Sequence, residues 1–328
     1  MSISSSQETC LEVKNLKKYF SLKAGLFQKP NLLKAVDNVS FSIGKGETMG
    51  LVGESGCGKT TIGRTVLKLY EPTDGQILYD GTDITRLNDK EMKTFCRKMQ
   101  MIFQDPYTSL DPRKKVMDII AEPIRFMNIK QGKDVTDRVR ELVELVGLKS
   151  DHMNRYPHEF SGGQRQRIGI ARALAAEPEF IVCDEPISAL DVSIQAQIIN
   201  ILEELQEKYK FTYLFISHDL AMVRHISNQV GVMYLGNLLE YAQADELYEH
   251  MLHRYTKALI SAEPIADPDL AAASQRIVLE GDVSSPINPK NECPFCSRCS
   301  YVKDICRQEK PELKKVNDCH YVACHLIQ

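Results

Sequence analysis

Residues 53–61 read Gly53-Glu54-Ser55-Gly56-Cys57-Gly58-Lys59-Thr60-Thr61 and fit the phosphate-binding pattern G-x-x-x-x-G-K-[ST]. An apolar strand-like run, 48–52, precedes this stretch, and a helix-like run, 62–69, follows it. Glycines let backbone N–H groups curl toward an anion, and a helix start adds the positive end of its dipole. Lys59 would reach the β- and γ-phosphates of a nucleotide, and the Thr60 hydroxyl would bind Mg²⁺. The alternative, a chance glycine turn before a helix, is disfavoured by this strand–loop–helix setting.

Length, composition and charge limit the class of protein. The 328 residues are 43% hydrophobic, which is enough for one large domain with appendages or for two domains. The net charge of −3 argues against a protein that coats nucleic acid. No run approaches 18 apolar residues, and the N-terminus lacks an export signal, so we expect a cytoplasmic chain that meets a membrane only through a partner.

The pattern around the loop predicts an α/β core. Phe180–Cys183 is fully apolar, as a strand buried inside a parallel sheet would be. Residues 35–43 alternate apolar and polar side chains, and two short strand-like runs flank Asp80-Gly81, which is a hairpin signal. Residues 21–34 are expected to form a loop. At least some strands should therefore be antiparallel and lie beside a parallel sheet.

A helical insert is predicted at about residues 105–160, between two halves of this core. Its apolar residues fall at i, i+4, i+7, i+8 and i+11 on one helical face: Val135, Val139, Leu142, Val143 and Val146. The sequence from Pro264 onward is rich in Pro, Asp, Ala and Ser, and we interpret it as a linker.

Four further polar features follow or precede predicted strands and helices. Asp184-Glu185 ends the apolar strand, where one carboxylate could hold Mg²⁺ and the other could polarise water. Phe160-Ser161-Gly162-Gly163-Gln164 precedes a helix and could form a second anion site. Gln104 and His218 each end a strand. Taken singly, each has an ordinary structural explanation such as a strand end, a helix cap or a surface residue.

In this order, these motifs resemble the nucleotide-binding subunit of ATP-binding cassette (ABC) transporters. The resemblance covers about residues 10–260 and also includes the segment Ser188-Ala189-Leu190-Asp191. It departs from the family only at Phe160, where leucine is commonest. It implies a P-loop NTPase (RecA-like) core with an antiparallel β subdomain, a helical insert and, at 261–328, a linker and cysteine-rich C-terminal extension.

The resemblance also implies that two copies associate head to tail, with ATP held between the loop of one and the Ser-Gly-Gly-Gln segment of the other. Glu185, His218 and Gln104 would be catalytic, acting on the attacking water and the γ-phosphate. Thr60, Gln104 and Asp184 would hold Mg²⁺, and Phe20 would stack on adenine. The expected nucleotide-binding residues are Phe20, Gly53, Ser55, Gly56, Gly58, Lys59, Thr60, Thr61, Gln104, Ser161, Gly162, Gly163, Gln164, Asp184 and Asp191.

Three segments resemble the oligopeptide/dipeptide import branch: 104–113, 253–259 (with Arg254 where that branch has proline) and the cysteine-containing tail. The branch implies two transmembrane permease subunits, a related ATPase as hetero- or homodimer partner, and an extracellular solute-binding protein that acts indirectly. It also implies a peripheral location on the cytoplasmic face of the membrane. An importer ATPase for nickel or another small solute, a soluble non-transport ABC ATPase and a P-loop kinase remain as alternatives.

Six of the ten cysteines lie in the tail, which favours a metal site over disulfides in a reducing compartment. The resemblance implies that Cys293, Cys299, Cys306 and Cys324 bind a [4Fe–4S] cluster. Four thiolates also suit tetrahedral Zn²⁺, and Cys296 and Cys319 lie within the same tail, so the ligand set stays open.

Overall fold

A computed structural model of the chain describes residues 8–22, 31–263 and 276–327. Its centre is an eight-stranded sheet of order β11-β12-β10-β9-β3-β8-β7-β6. Strands β6, β7, β8, β3 and β9 run parallel, whereas β10, β12 and β11 are antiparallel. The strands are β3 (Thr48–Val52), β6 (Met99–Ile102), β7 (Phe180–Asp184), β8 (Thr212–Ile216), β9 (Gln229–Tyr234), β10 (Asn237–Gln243), β11 (Lys314–Asn317) and β12 (His320–Val322).

Burial of both faces explains why the central strands are apolar. Every residue of β3, β7 and β8 is buried, as expected for strands covered by helices on both sides. The helices of the described residues are α1 (Lys59–Val66), α2 (Asp89–Lys98), α3 (Val116–Phe126), α4 (Lys133–Leu145), α5 (Gly162–Leu174), α6 (Val192–Tyr209), α7 (Leu220–Ile226), α8 (Ala244–Glu249), α9 (Arg254–Ser261) and α10 (Asp304–Gln308). The helix after the loop thus begins three residues earlier than the sequence indicated.

A separate antiparallel sheet has the order β2-β1-β4-β5 and contains β1 (Thr9–Leu22), β2 (Asn31–Gly44), β4 (Asp74–Tyr79) and β5 (Thr82–Asp83). The predicted hairpin at Asp80-Gly81 is confirmed, since β4 and β5 pair across it. The expected loop at 21–34 was wrong at both ends. Pairing of Phe20 with Leu33 and of Leu22 with Asn31 extends both strands, and residues 23–30 lie outside the described part.

The helical insert is built from α3, α4 and two 3₁₀ turns, Ser150–Asn154 and Pro157–Glu159. The apolar face predicted for α4 is buried against the core. Phe160, the first residue of the segment 160–164, is buried with it and ends the insert.

The tail is more closely integrated with the core than an appended extension would be. Strand β12 pairs with β10 through Glu240 opposite Val322 and Ala242 opposite His320, so the tail adds two strands to the main sheet. The linker expected from Pro264 falls, for residues 264–275, outside the described residues. In the described part of the chain, no helix is long and apolar enough to cross a membrane.

Candidate nucleotide-binding site

The loop 53–58 connects the end of β3 to the start of α1, and two of its glycines are required by their surroundings. Gly53 and Gly58 have φ of 149° and 108°. A Cβ at Gly53 would lie 2.2 Å from the carbonyl oxygen of Met233, and one at Gly58 would lie 2.1 Å from that of Ala35. Only glycine fits such conformations and approaches, so the loop shape is fixed by the neighbouring backbone.

Lys59 is the first residue of α1, and its side chain bonds back to this loop. Its side chain is almost fully buried, and Nζ donates to the carbonyl oxygens of Gly53 at 2.7 Å and Glu54 at 3.1 Å. A buried ammonium group requires such acceptors. Phosphate oxygens would offer the same ammonium group a charged acceptor, and charge-assisted hydrogen bonds are the stronger kind.

Thr60 and Asp184 join the loop helix to the end of β7. Thr60 Oγ1 donates to Asp184 Oδ1 at 2.7 Å, and Asp184 is fully buried. Its other oxygen, Oδ2, is buried without a hydrogen-bond partner among the described residues. Burial raises the pKa of this carboxyl, although the hydrogen bond from Thr60 opposes the shift. A hydroxyl beside an unpartnered carboxylate oxygen suits Mg²⁺, which prefers oxygen ligands.

Gln104 and Glu185 meet beside this pair. Gln104 Nε2 donates to Glu185 Oε2 at 2.7 Å, and His218 Nδ1 lies 3.6 Å from the same oxygen. The three residues follow β6, β7 and β8, which are neighbours in the sheet. Parallel strands therefore bring together, at one edge of the sheet, the three side chains that the family resemblance implies are catalytic.

Glu185 has a left-handed backbone with φ of 45°, which is unusual for a residue other than glycine. Its N–H donates to the carbonyl oxygen of Ile216 at 2.9 Å, and this bond holds the turn after β7. Such a conformation stores on the order of 1 kcal/mol, and strain of this kind clusters at active sites. It aims the Glu185 side chain toward Gln104 and His218.

The segment 160–164 leads into α5, with Ser161 as the N-cap of that helix. Ser161 Oγ accepts from Gln164 N at 3.4 Å, and Gln164 Oε1 accepts from Ser161 N at 3.1 Å, which is a capping box. A Cβ at Gly163 would lie 2.4 Å from a methyl of Ile194, so close packing on α6 requires glycine there. Among the described residues, no hydrogen bond joins 161–164 to the loop 53–61, and Ser161 is exposed to solvent.

The remaining predicted nucleotide-binding residues lie on the loop, in α1, before α6 and in β1. Ser55 and Gly56 are exposed, Thr61 is half-buried in α1, and Asp191 is exposed at the start of α6. The half-buried Phe20 packs edge-on against Tyr70 with ring centroids 5.5 Å apart, and Lys18 Nζ lies 4.8 Å from its centroid. Tyr19 faces away and its hydroxyl donates to Asp37 at 2.5 Å.

Some of the tail cysteines lie close together in the structure. Cys293, Cys296 and Cys306 are buried, and Cys293 N donates to the carbonyl oxygen of Cys306 at 2.8 Å. Burial and the neighbouring Cys306, Cys296 and Cys324 thiols raise the pKa of Cys293 to about 12. Cys319 lies apart, in the turn before β12, with its thiol 3.4 Å from Asn317 Oδ1. Within the described ranges, no three His, Cys, Asp or Glu side chains are grouped to hold a metal ion, so the predicted cluster is not confirmed.

Two contacts to the loop were missed by the sequence interpretation. Tyr255 Oη accepts a hydrogen bond from Glu54 N at 2.9 Å, and Arg298 Nη1 donates to both carboxylate oxygens of Glu54 at 2.9 and 3.0 Å. Both residues lie in segments that resemble the import branch, 253–259 and 293–299. That location was the available signal, but it did not indicate what the side chains contact.

Comparison with known proteins identifies the family of this chain. The family description "ABC transporter" matches residues 36–188, and "Oligopeptide/dipeptide transporter, C-terminal region" matches 239–306. The chain is 54% identical to the oligopeptide transport ATP-binding protein AppF of Bacillus subtilis (strain 168), over 98% of each chain. It is 60% identical to OppF of the same organism, also named an oligopeptide transport ATP-binding protein, over 80% of this chain and 85% of that one.

A solved structure also matches the fold. It is titled as a dimeric post-hydrolysis state of the ATP-binding cassette MJ0796 bound to ADP and Pi, and it aligns with a TM-score of 0.64 and 28% identity. The alignment covers 71% of this chain and 98% of that one. Fold, site and comparisons together define an ATPase of the ABC class. Within that class, the chain belongs to the family of oligopeptide transport ATP-binding proteins.

Proposed function

We propose that this chain binds and hydrolyses ATP to drive the import of oligopeptides through membrane-spanning partners. The observation that carries the proposal is the Thr60–Asp184 hydrogen bond. It places a hydroxyl next to Lys59 and beside a buried carboxylate whose Oδ2 has no hydrogen-bond partner among the described residues. This is the arrangement that P-loop NTPases use at the phosphates of a nucleotide.

The residues around that bond divide the chemistry among them. Lys59 would exchange its two loop carbonyls for phosphate oxygens, and Phe20 would stack on adenine. Thr60, Asp184 and Gln104 would hold Mg²⁺, which supplies positive charge against the charge that develops on the β- and γ-phosphates. Glu185 would accept a hydrogen bond from the attacking water and orient it, while His218 would donate to the γ-phosphate.

The site is completed by a second cassette. Ser161 is exposed just before α5, so its hydroxyl proton and the N–H groups of Gly162 and Gly163 would be able to meet the γ-phosphate on a partner's loop. Gly162, Gly163, Gln164 and Asp191 would take part in the same head-to-tail interface. The cassette that dimerises this way would span about residues 10–260, with 261–328 as its extension.

Uptake by intact cells tests the proposed substrate. Cells lacking this gene would be complemented with the wild-type chain or with Lys59→Ala, and uptake of a labelled oligopeptide and of labelled Ni²⁺ would be compared. We expect peptide uptake to be restored by the wild type alone and Ni²⁺ uptake to be unaffected. Restoration of Ni²⁺ uptake alone would favour the nickel importer, and an absence of membrane subunits in the purified complex would favour a soluble ATPase.

We also propose that Cys293, Cys299, Cys306 and Cys324 hold a [4Fe–4S] cluster, with Zn²⁺ as the alternative. Support comes from four thiol-bearing side chains in one compact segment, two of them joined through the Cys293–Cys306 backbone bond. Their side chains would have to turn toward one another to form the site. Anaerobic purification with iron, sulfide and zinc analysis tests this, with Cys319→Ser as the control that should keep the metal. Colourless protein with one zinc per chain would contradict the iron assignment.

A further inference from the structure

Arg298 connects the cysteine-rich tail to the phosphate loop. Its Nη1 atom lies 2.9 and 3.0 Å from the two carboxylate oxygens of Glu54, the second residue of the loop motif. The Arg298 side chain is 12% exposed and that of Glu54 is 34% exposed. An ion pair with one largely buried partner is weakened less by solvent and salt than a fully exposed pair.

Glu54 is held from a second direction. Its backbone N–H donates to Tyr255 Oη at 2.9 Å, so α9 fixes the main chain while the tail fixes the side chain. The ring of Tyr255 packs against Tyr234 and Phe295, with centroids 4.8 and 5.6 Å apart. Phe295 comes from the same tail segment as Arg298 and is almost fully buried. The tail therefore reaches the loop through a packed aromatic cluster.

The loop must keep its shape while its internal bonds change. Lys59 Nζ now donates to the carbonyl oxygens of Gly53 and Glu54 and would exchange them for phosphate oxygens. A loop that is already fixed loses less conformational entropy when it binds a ligand. We propose that Arg298 is a positioning residue for the nucleotide: by holding Glu54, it keeps the phosphate loop in the conformation that receives ATP. This inference rests on the proposed function.

Binding of magnesium adenylyl imidodiphosphate, an ATP analogue that resists hydrolysis, tests the inference in the full chain. The variants are Arg298→Gln, Arg298→Lys, Glu54→Gln and the double variant Glu54→Gln with Arg298→Gln. Tyr301→Ala is the matched control, because Tyr301 stacks on Arg254 of α9 at 3.8 Å and so joins tail to cassette without contacting the loop. Urea midpoints show which variants remain folded.

We expect Arg298→Gln and Glu54→Gln each to raise the analogue's Kd about fivefold, a typical size for coupling between two sites. The double variant should be no worse than either single variant, because both remove one interaction. Arg298→Lys should keep most of the affinity for the analogue. In the wild type a single nitrogen, Nη1, contacts both carboxylate oxygens of Glu54, and one ammonium group can do the same. KM for ATP should rise while kcat stays within about twofold, the pattern of lost uniform binding.

Two results would overturn the inference. One is unchanged affinity in Arg298→Gln; if that variant is unfolded, unchanged affinity in Glu54→Gln serves instead. The other is a loss in Tyr301→Ala as large as the loss in Arg298→Gln, which would show that any loosening of the tail has this effect. Lys59→Ala tests the proposed function separately from the role of Arg298. If Lys59→Ala binds the analogue like the wild type, the proposed function fails. The Arg298 variants test only the positioning role.

Discussion

Gln104 Nε2 donates a hydrogen bond to Glu185 Oε2 at 2.7 Å and so joins the end of β6 to the end of β7. The bond uses Oε2 and holds the side chain in place, while no hydrogen bond to Glu185 Oε1 occurs in the part of the chain that the structure describes. The two side chains therefore act as one unit: the carboxylate would orient water, and the amide would fix the carboxylate.

Gln104→Ala should lower kcat for ATP at least about tenfold, because the carboxylate loses the donor that positions it. The Kd for ATP should change little, since the substitution leaves the loop 53–61 intact. Steady-state hydrolysis and equilibrium binding separate the two effects. Gln100→Ala, four residues earlier and within β6, is the control and should hydrolyse ATP normally. A Gln104→Ala enzyme with wild-type kcat would remove this residue from the mechanism.

Asp184→Asn should lower ATP hydrolysis but raise the stability of the protein without ligands. Hydrolysis should fall more than about a hundredfold, because the charge that holds Mg²⁺ is lost. Without Mg²⁺ and nucleotide, however, the variant should have a higher urea midpoint than the wild type, because a neutral amide avoids the cost of burying a negative charge at Asp184. Urea unfolding with and without Mg²⁺ measures the second effect. A lower midpoint for Asp184→Asn without Mg²⁺ would show that Asp184 is a structural residue.

Phe20→Ala should weaken ATP binding by about tenfold, as expected when stacking of one base on an aromatic ring is lost. Stacking is tolerant of the base, so GTP should bind to the wild type and lose affinity by a similar factor. Tyr19→Phe is the control, because the Tyr19 hydroxyl contacts Asp37 instead. If Tyr19→Ala weakens binding and Phe20→Ala does not, the stacking residue is Tyr19.

His320 should make the attachment of the tail depend on pH. It is fully buried, with Nε2 2.7 Å from Glu240 Oε1 and Nδ1 3.3 Å from Glu246 Oε1. Burial alone would lower the pKa of His320, but the two carboxylates together raise it. A raised pKa gives stability that is complete below the unfolded value of about 6.5 and is lost as pH rises through the folded value.

His320→Gln should therefore destabilise the protein more at about pH 6 than at about pH 9. At about pH 6 the loss in free energy of unfolding should be about 2 kcal/mol or more. Urea unfolding at both pH values measures this difference. His250→Gln is the control, because His250 contacts the same Glu246 carboxylate at 3.0 Å from an exposed position. Equal destabilisation at both pH values would mean that His320 is neutral in the folded protein.

The order of the motifs along the chain, through the family resemblance, predicted which residues would form the candidate site. Thr60 and Asp184 are 124 positions apart, yet each follows an apolar strand, and parallel strands end at one edge of the sheet. The family resemblance predicts a joint role for Gln104, Glu185 and His218, and the parallel order of β6, β7 and β8 explains why their side chains meet. The left-handed turn at Glu185 could not be predicted, because it depends on the bond from Glu185 N to Ile216 on the neighbouring strand.

Contacts between residues far apart in the chain could not be predicted where no periodic pattern marks them. Arg298 and Glu54 are 244 positions apart, and nothing in either motif indicates that they meet. Strand β12 has only three residues and forms because the edge of β10 is open to it, so its pattern alone predicts little. The loop expected at 21–34 failed for the same reason: the partner strand, rather than local propensity, decides where β1 ends.

The most direct test of the account is ATP turnover by the assembled transporter with Glu185→Gln in this chain. Glutamine keeps the size of the side chain and removes the charge that would orient water, so ATP should bind normally and stay bound in a closed dimer. Turnover at this site should fall by a factor on the order of a hundred or more. Near-normal turnover at this site would contradict the assignment of Glu185 and the mechanism built on it.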